Sequence, residues 1–256
     1  MLKQVFLPLA ALACVLFAVL EAQAFMPPLQ EIKKGLESEY SSLNSYQAEF
    51  RLRQDPLLSI RLWKEGPFWR QEWVEEDEET GSPRLLCASI GQGERLLLSY
   101  PEYRSVSKPV LWYWPPQGSS WMEHLSVDTS VSSYQFFKDR PALVYGATYG
   151  QLRRPQVWLD NERLVPLRLI RGDLELQWFE YVRVGNFWLP KVLGIVFPDA
   201  EPLNFDILWR RVNTPIPQEV FSRESFQQAY APFQFSRDMP RIFRLLFERF
   251  PQAFDN

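Results

Sequence analysis

Residues 46–53, YQAEFRLR, alternate without a break: Tyr46, Ala48, Phe50 and Leu52 fall on one side, Gln47, Glu49, Arg51 and Arg53 on the other. An extended strand, whose successive side chains point to opposite faces, turns that pattern into one buried and one wet side. The same period recurs at Leu58, Ile60 and Leu62, and at 203–212, where Leu203, Phe205, Ile207 and Trp209 oppose Asn204, Asp206 and Arg210. Gly66-Pro67 turns the second run into a third, on which Trp69 and Trp73 share a face with Gln71 between them. Further runs occupy 84–90, 95–100, 106–114, 143–149, 155–159, 163–170, 174–184 and 187–197. Turn residues such as Asp160-Asn161, Arg171-Gly172-Asp173 and Gly185-Asn186 separate several of them. About eleven strands, mostly hairpin-linked, predict one large antiparallel sheet curling toward a barrel in a mainly β (α+β) fold.

Elsewhere the apolar period changes to that of a helix. Pro27-Pro28 lead into Leu29, Ile32, Leu36, Tyr40 and Leu43, an amphipathic helix ending near Ser45. Ile242, Phe243, Leu246, Phe247 and Phe250 line one face of a second, opposite Arg241, Arg244, Glu248 and Arg249. A short helix is expected in GSSWMEHLSVD, capped by Ser119 or Ser120 with Glu123 near its first turn. No repeat or flexible linker divides the chain, so we expect a leader (1–24), one main domain (25–221) and an extension carrying the last helix (222–256).

The leader reading rests on Lys3, the apolar stretch 5–20 and the small-x-small triplet Ala22-Gln23-Ala24, the marks of a cleaved export signal. As an anchor the stretch is shorter than the roughly 20 residues a membrane span needs. Cys14 lies inside it rather than at its end, which argues against acylation. A chain starting near Phe25 keeps one cysteine, Cys87, in the apolar run LLCASI, and the fold must then stand on its core without an internal disulfide. Loss of Lys3 and Glu21 together leaves the formal charge at −3. Nucleic acid requires a concentrated basic surface, so that partner class is excluded. The acidic run EEDEE at 75–79 lacks the spaced ligands and turn glycine of a calcium loop and reads as a solvated hairpin tip.

Catalytic signals are sparse. His124 is the only histidine, and no nucleophile motif, HExxH pair or glycine-rich phosphate loop is present. Scattered carboxylates, Glu72, Glu180 and Asp206 among them, are the one motive for a hydrolase. No enzyme activity, cofactor or metal is expected. Apolar surface is in excess instead: the chain holds ten tryptophans. Taken singly, each indole reads as core. Together, Trp69, Trp73, Trp112, Trp114, Trp178 and Trp209 are candidates for the wall of an apolar cavity under helices that cover a curved sheet.

The order of these elements resembles the LolA/LolB-like family of periplasmic lipoprotein carriers. A signal peptide and an amphipathic helix precede a strand with the family's SY/F-x-A-x-F pattern, here Ser45-Tyr46-Gln47-Ala48-Glu49-Phe50. Leu62-Trp63-Lys64-Glu65-Gly66-Pro67, running into Phe68-Trp69-Arg70, is similar to its next hairpin. RLLLSYP (95–101), VWLDNERLVPLRL and NFWLPKVLGIVF are similar to later strands, and the likeness spans roughly 27–221. It implies a half-open antiparallel β-barrel of about eleven strands with a helical lid over an apolar cavity. It further implies non-catalytic, periplasmic binding and transfer of lipoprotein or lipid acyl chains by a monomer, with inner- and outer-membrane proteins as partners. The alternative on the same fold is a non-enzymatic envelope sensor or protein-interaction module. Besides five of the indoles and Trp112, the candidate ligand-binding residues are Phe50, Leu62, Leu98, Tyr100 and Phe205. Gly66 stands where the carrier has an arginine that latches the lid; Arg61 or Arg70 is the expected substitute.

Overall fold

In the computed structural model, which describes residues 26–102, 114, 121–151, 153–232, 235 and 238–249, the alternating runs become strands. They are β1 (Ser45–Leu52), β2 (Leu58–Glu65), β3 (Phe68–Glu76), β4 (Pro83–Gln92), β5 (Arg95–Tyr100), β6 (Ser132–Phe137), β7 (Arg140–Tyr145), β8 (Gln156–Asp160), β9 (Pro166–Arg171) and β10 (Leu174–Phe179). After them come β11 (Val182–Val184), β12 (Phe187–Leu189), β13 (Val192–Val196) and β14 (Leu203–Val212). Twelve of these form one sheet in the order β5-β4-β3-β2-β1-β14-β13-β10-β9-β8-β7-β6, and β11-β12 form a separate hairpin. Every pairing is antiparallel. The sheet curls into a half-open barrel whose two edges, β5 and β6, flank the open side.

The sheet departs from the expected strands in two places. The runs 174–184 and 187–197 each break in two, because Glu180 takes a left-handed φ of 53° and Pro190 has no N–H to give the ladder. Strand β6 lies outside the expected strand runs. Its Tyr134 and Phe136 stay exposed (Phe136 at 69%), so burial gives it no sequence signature. The expected strand 106–114, apart from Trp114, and the caps Ser119 and Ser120 lie outside the described residues, as does the leader.

One face of the central strands feeds a single core cluster that includes Phe50, Leu62, Leu143, Leu176 and Phe205. Helices α1 (Leu29–Tyr40) and α4 (Arg241–Arg249) pack on that inner face through Ile32, Leu36 and Tyr40 and through Phe243 and Leu246. The short α2 (Trp121–His124) joins them, and Lys33 ties it to α1 by an ion pair with Glu123 at 2.6 Å. The outer face carries two smaller clusters. In one, Val74, Leu85, Ala88 and Ile90 are covered by Phe226 and Tyr230 of α3 (Arg223–Tyr230). Ser222 caps α3 by accepting from the Ser225 N–H at 3.0 Å. In the other, Trp158 and Phe137 lie against Ala142, Val144 and Leu167.

Gly91 fixes one corner of this sheet. It sits at a register shift between β4 and β5, opposite Trp69, and a Cβ there would stand 2.1 Å from Trp69 Cζ2 and 2.7 Å from the Arg95 carbonyl. The indole lies flat over the bare backbone and donates to the Gly93 carbonyl at 2.9 Å. Gly91→Ala is expected to destabilise the fold by about 1–3 kcal/mol by forcing the ring aside. Urea denaturation of the pair of proteins measures this, with Gly194→Ala as the comparison, where an added Cβ would meet nothing nearer than 3.4 Å.

Candidate ligand-binding face

The register of β1 to β4 arranges the inner face in rows running across the strands. Nearest the turn at Gly66-Pro67 comes Tyr46, Lys64, Trp69 and Gly91; next Ala48, Leu62, Gln71 and Ser89; then Phe50, Ile60, Trp73 and Cys87. The first rows hold polar groups and the third is apolar. Phe205, Trp178 and Trp209, from β14 and β10, continue the apolar surface, and Trp114 closes on it with its ring centroid 5.3 Å from Trp209 and 5.5 Å from Tyr40.

The candidates named from sequence therefore divide. Phe50, Leu62, Trp73, Trp114, Trp178, Phe205 and Trp209 come together in the inner cluster. Trp69 is buried on the same side but is spent on Gly91 and the Gly93 carbonyl. Leu98 and Tyr100 do not join them. They pair with Ile90 and Ala88 on the outer face, where Tyr100 meets Phe226 at 5.8 Å under α3. Ser99 is the inward residue of that strand, opposite Ser89. Trp112 lies outside the described residues.

Helix α4 sits directly on the third row. Phe243 and Phe247 approach Trp73 at ring-centroid distances of 4.8 and 4.5 Å. Apart from apolar contact, α4 is tied by Arg249 to Asp199, an exposed pair. Exposed pairs contribute about 1 kcal/mol or less, so the cover is held mostly by its apolar face.

The inner rows also contain polar atoms that the protein leaves unserved. Both polar atoms of Gln71 (0% exposed), the Ser89 hydroxyl, the Trp73 and Trp178 N–H groups and the Tyr145 hydroxyl have no hydrogen-bond partner. Each such group costs about 1–3 kcal/mol. Lys64 is 8% exposed, donates to the Gly66 carbonyl at 2.8 Å and lies 6.0 Å from the Tyr46 ring centre. Burial lowers its pKa from the ordinary 10.5 to about 8. Neither Lys64 nor Gln71 was singled out as a site residue from sequence, although both occupy inward positions of strands whose neighbours are apolar.

The substitutes considered for the missing latch point elsewhere. Arg61 pairs across to Glu49 and Glu72 positions on the outer face. Arg70 donates to Glu72 at 2.6 Å and shares that carboxylate with the Tyr230 hydroxyl under α3. Of the other carboxylates considered for catalysis, Asp206 and Glu180 flank Arg53 at 2.7 and 3.4 Å on the exposed surface. Among the described residues no cluster of His, Cys, Asp and Glu suits a metal ion, and no helix is long and apolar enough to cross a membrane. An open cleft of about 1160 Å³ borders the Arg171-Gly172-Asp173 turn of β9–β10. Its charges are largely matched within the fold, Arg168 by Glu175 at 2.6 Å and Arg249 by Asp199.

No protein-family model matches the chain, and no curated protein matches it. Among solved structures it is similar to a LolA superfamily protein from Nitrosomonas europaea, with a TM-score of 0.49 and 11% identity over 78% of this chain and 99% of that one. It is also similar to a DUF1329 family protein from Desulfovibrio piger, with a TM-score of 0.46 and 11% identity over 79% of this chain and 100% of the other. Likenesses at this identity concern the fold, and function has to be read from the residues.

Lys64 gives that reading a thermodynamic signature. Its folded pKa lies below the unfolded one, so between about pH 8 and 10.5 the unfolded chain holds more protons and stability rises with pH. Tyr40 and Tyr46, raised by burial, reverse the trend once tyrosines ionise in the unfolded chain. Lys64→Met is expected to raise stability at pH 7 and to abolish a gain of about 1–2 kcal/mol between pH 8 and 9.5. Thermal melts of both proteins across that range check it.

Proposed function

We propose that this protein binds the acyl chain of a lipid or lipoprotein against its inner face and hands it on without chemical catalysis. The observation that carries this reading is the seating of α4. An amphipathic helix lays Phe243, Leu246 and Phe247 on Trp73 and its apolar neighbours, so the sheet presents a surface that accepts a detachable apolar occupant. The export-type leader supports a periplasmic setting, between two membranes that could both supply and accept such chains. The aromatic lip formed by Tyr134 and Phe136 on edge strand β6 supports entry from the open side of the barrel.

Magnitudes set the size of the cargo. Burying Phe243 and Leu246 contributes about 3–6 kcal/mol together, and each buried methylene about 0.8 kcal/mol. A chain of about four to eight methylenes therefore matches what those two side chains gain on the face, and a longer one is needed to displace α4. In this mechanism α4 leaves, the acyl chain takes its place along Trp73, Phe50 and Phe205, and return of α4 helps expel the chain to an acceptor.

A titration of the full-length protein with fatty acids of six to eighteen carbons, read by tryptophan fluorescence, is expected to show weak binding below about ten carbons and a steep rise above. Phe247→Asp, which weakens the cover, should tighten binding of long chains, and Trp73→Ala should weaken it about tenfold or more. Indifference to every chain length, in wild type and Phe247→Asp alike, would rule the proposal out.

A further inference from the structure

The inner face is graded along the strands, and the gradient has a direction. Its apolar row at Ile60, Trp73 and Phe50 lies deep, under α4, while Lys64 lies in the row next to the Gly66-Pro67 turn and Gln71 and Ser89 lie between. Gln71 stands directly opposite both Leu62 and Ser89, and diagonal to Lys64 at a Cα spacing of about 7–8 Å.

The fold leaves Gln71 and Ser89 unserved and Lys64 only partly served. Gln71 has no partner for either side-chain atom, and the Ser89 hydroxyl has none. Among the described residues no carboxylate pairs with Lys64, and burial is the cause that lowers its pKa. One of its N–H groups goes to the Gly66 carbonyl, leaving two. Adding the Gln71 amide and the Ser89 hydroxyl, donors outnumber acceptors, and the set carries positive charge at neutral pH. That balance fits an oxyanion and not an ammonium or a neutral sugar. A buried lysine and a buried bare amide also destabilise the free fold, so a bound partner that serves both recovers much of that cost.

We propose that Lys64, Gln71 and Ser89 form a headgroup site for a carboxylate or phosphate carried on the acyl chain that occupies the inner face. The site rests on the acyl-binding reading and narrows it to anionic amphiphiles, with the head near the Gly66-Pro67 rim and the tail toward Trp73. Arg61 and Arg70 take no part, since both lie on the other face.

The test compares dodecanoate, dodecyl phosphate, dodecanol and inorganic phosphate by calorimetric titration of the full-length protein. The anionic amphiphiles are expected to bind about tenfold or more tighter than dodecanol, the factor that one charge-assisted hydrogen bond confers. Lys64→Met should erase that difference, Lys64→Arg should keep most of it, and Gln71→Leu should lose part of it. Equal affinity for dodecanoate and dodecanol, or an unaltered preference in both Lys64→Met and Gln71→Leu, overturns the headgroup site and leaves acyl binding standing. Inorganic phosphate competing as well as dodecyl phosphate overturns it in favour of a free-anion site. Failure of every amphiphile to bind overturns both proposals together.

Discussion

Strand β14 hydrogen-bonds to β1 along most of its length, and the rest of the molecule depends on that pairing. It joins the five strands of the first half to the seven of the second, and the salt bridge of Arg210 to Glu49 stitches it across 161 residues of chain. Without it there would be two smaller sheets, each with an apolar face too broad for one helix to cover. With it the sheet is continuous and curls, so α1, α2 and α4 can all reach one shared interior. The order of assembly is constrained as well, because a contact that closes so long a loop forms only after local hairpins have lowered its entropic cost.

Much of this architecture was legible in period-two alternation, because strands such as β10 and β14 alternate buried with more exposed positions. What alternation does not encode is which side is which. Leu98 and Tyr100 share a face of β5, as their spacing requires, yet that face is the outer one, made dry by Phe226 and Tyr230 from a helix more than a hundred residues away. Arg70 is a similar case: its outward position is set by Glu72 two residues on and by Tyr230 from that same helix. Strand β6 was missed because Tyr134 and Phe136 stay exposed, and the division of 174–184 came from a single left-handed residue, Glu180, for which glutamate gives no sign. The candidate face was partly legible. Trp73 and Phe50 followed from pattern, whereas Lys64 and Gln71 were visible only as polar residues at inward positions, and their lack of partners is a property of three dimensions.

The two faces of the sheet are dry for different reasons. On the outer face, α3 brings polar groups that answer those of the strands, as Tyr230 answers Arg70 and Glu72. On the inner face, α4 brings mainly hydrocarbon and answers none of the polar atoms of Gln71, Ser89 or Lys64. The outer cover is specific in its hydrogen bonds and the inner one is generic. A generic cover is the one that another apolar molecule can imitate.

The two covers are consecutive in sequence. Tyr230 ends α3 on the outside and Arg241 begins α4 on the inside, so about ten residues, with an extended reach of roughly 33 Å, connect them. A displaced α4 is consequently still leashed to the barrel. It competes for the inner face at a local concentration of order millimolar that dilution of the protein does not change. Any apolar molecule that reached the inner face would therefore be measured against a constant internal rival, which sets a threshold that a weakly held one does not pass.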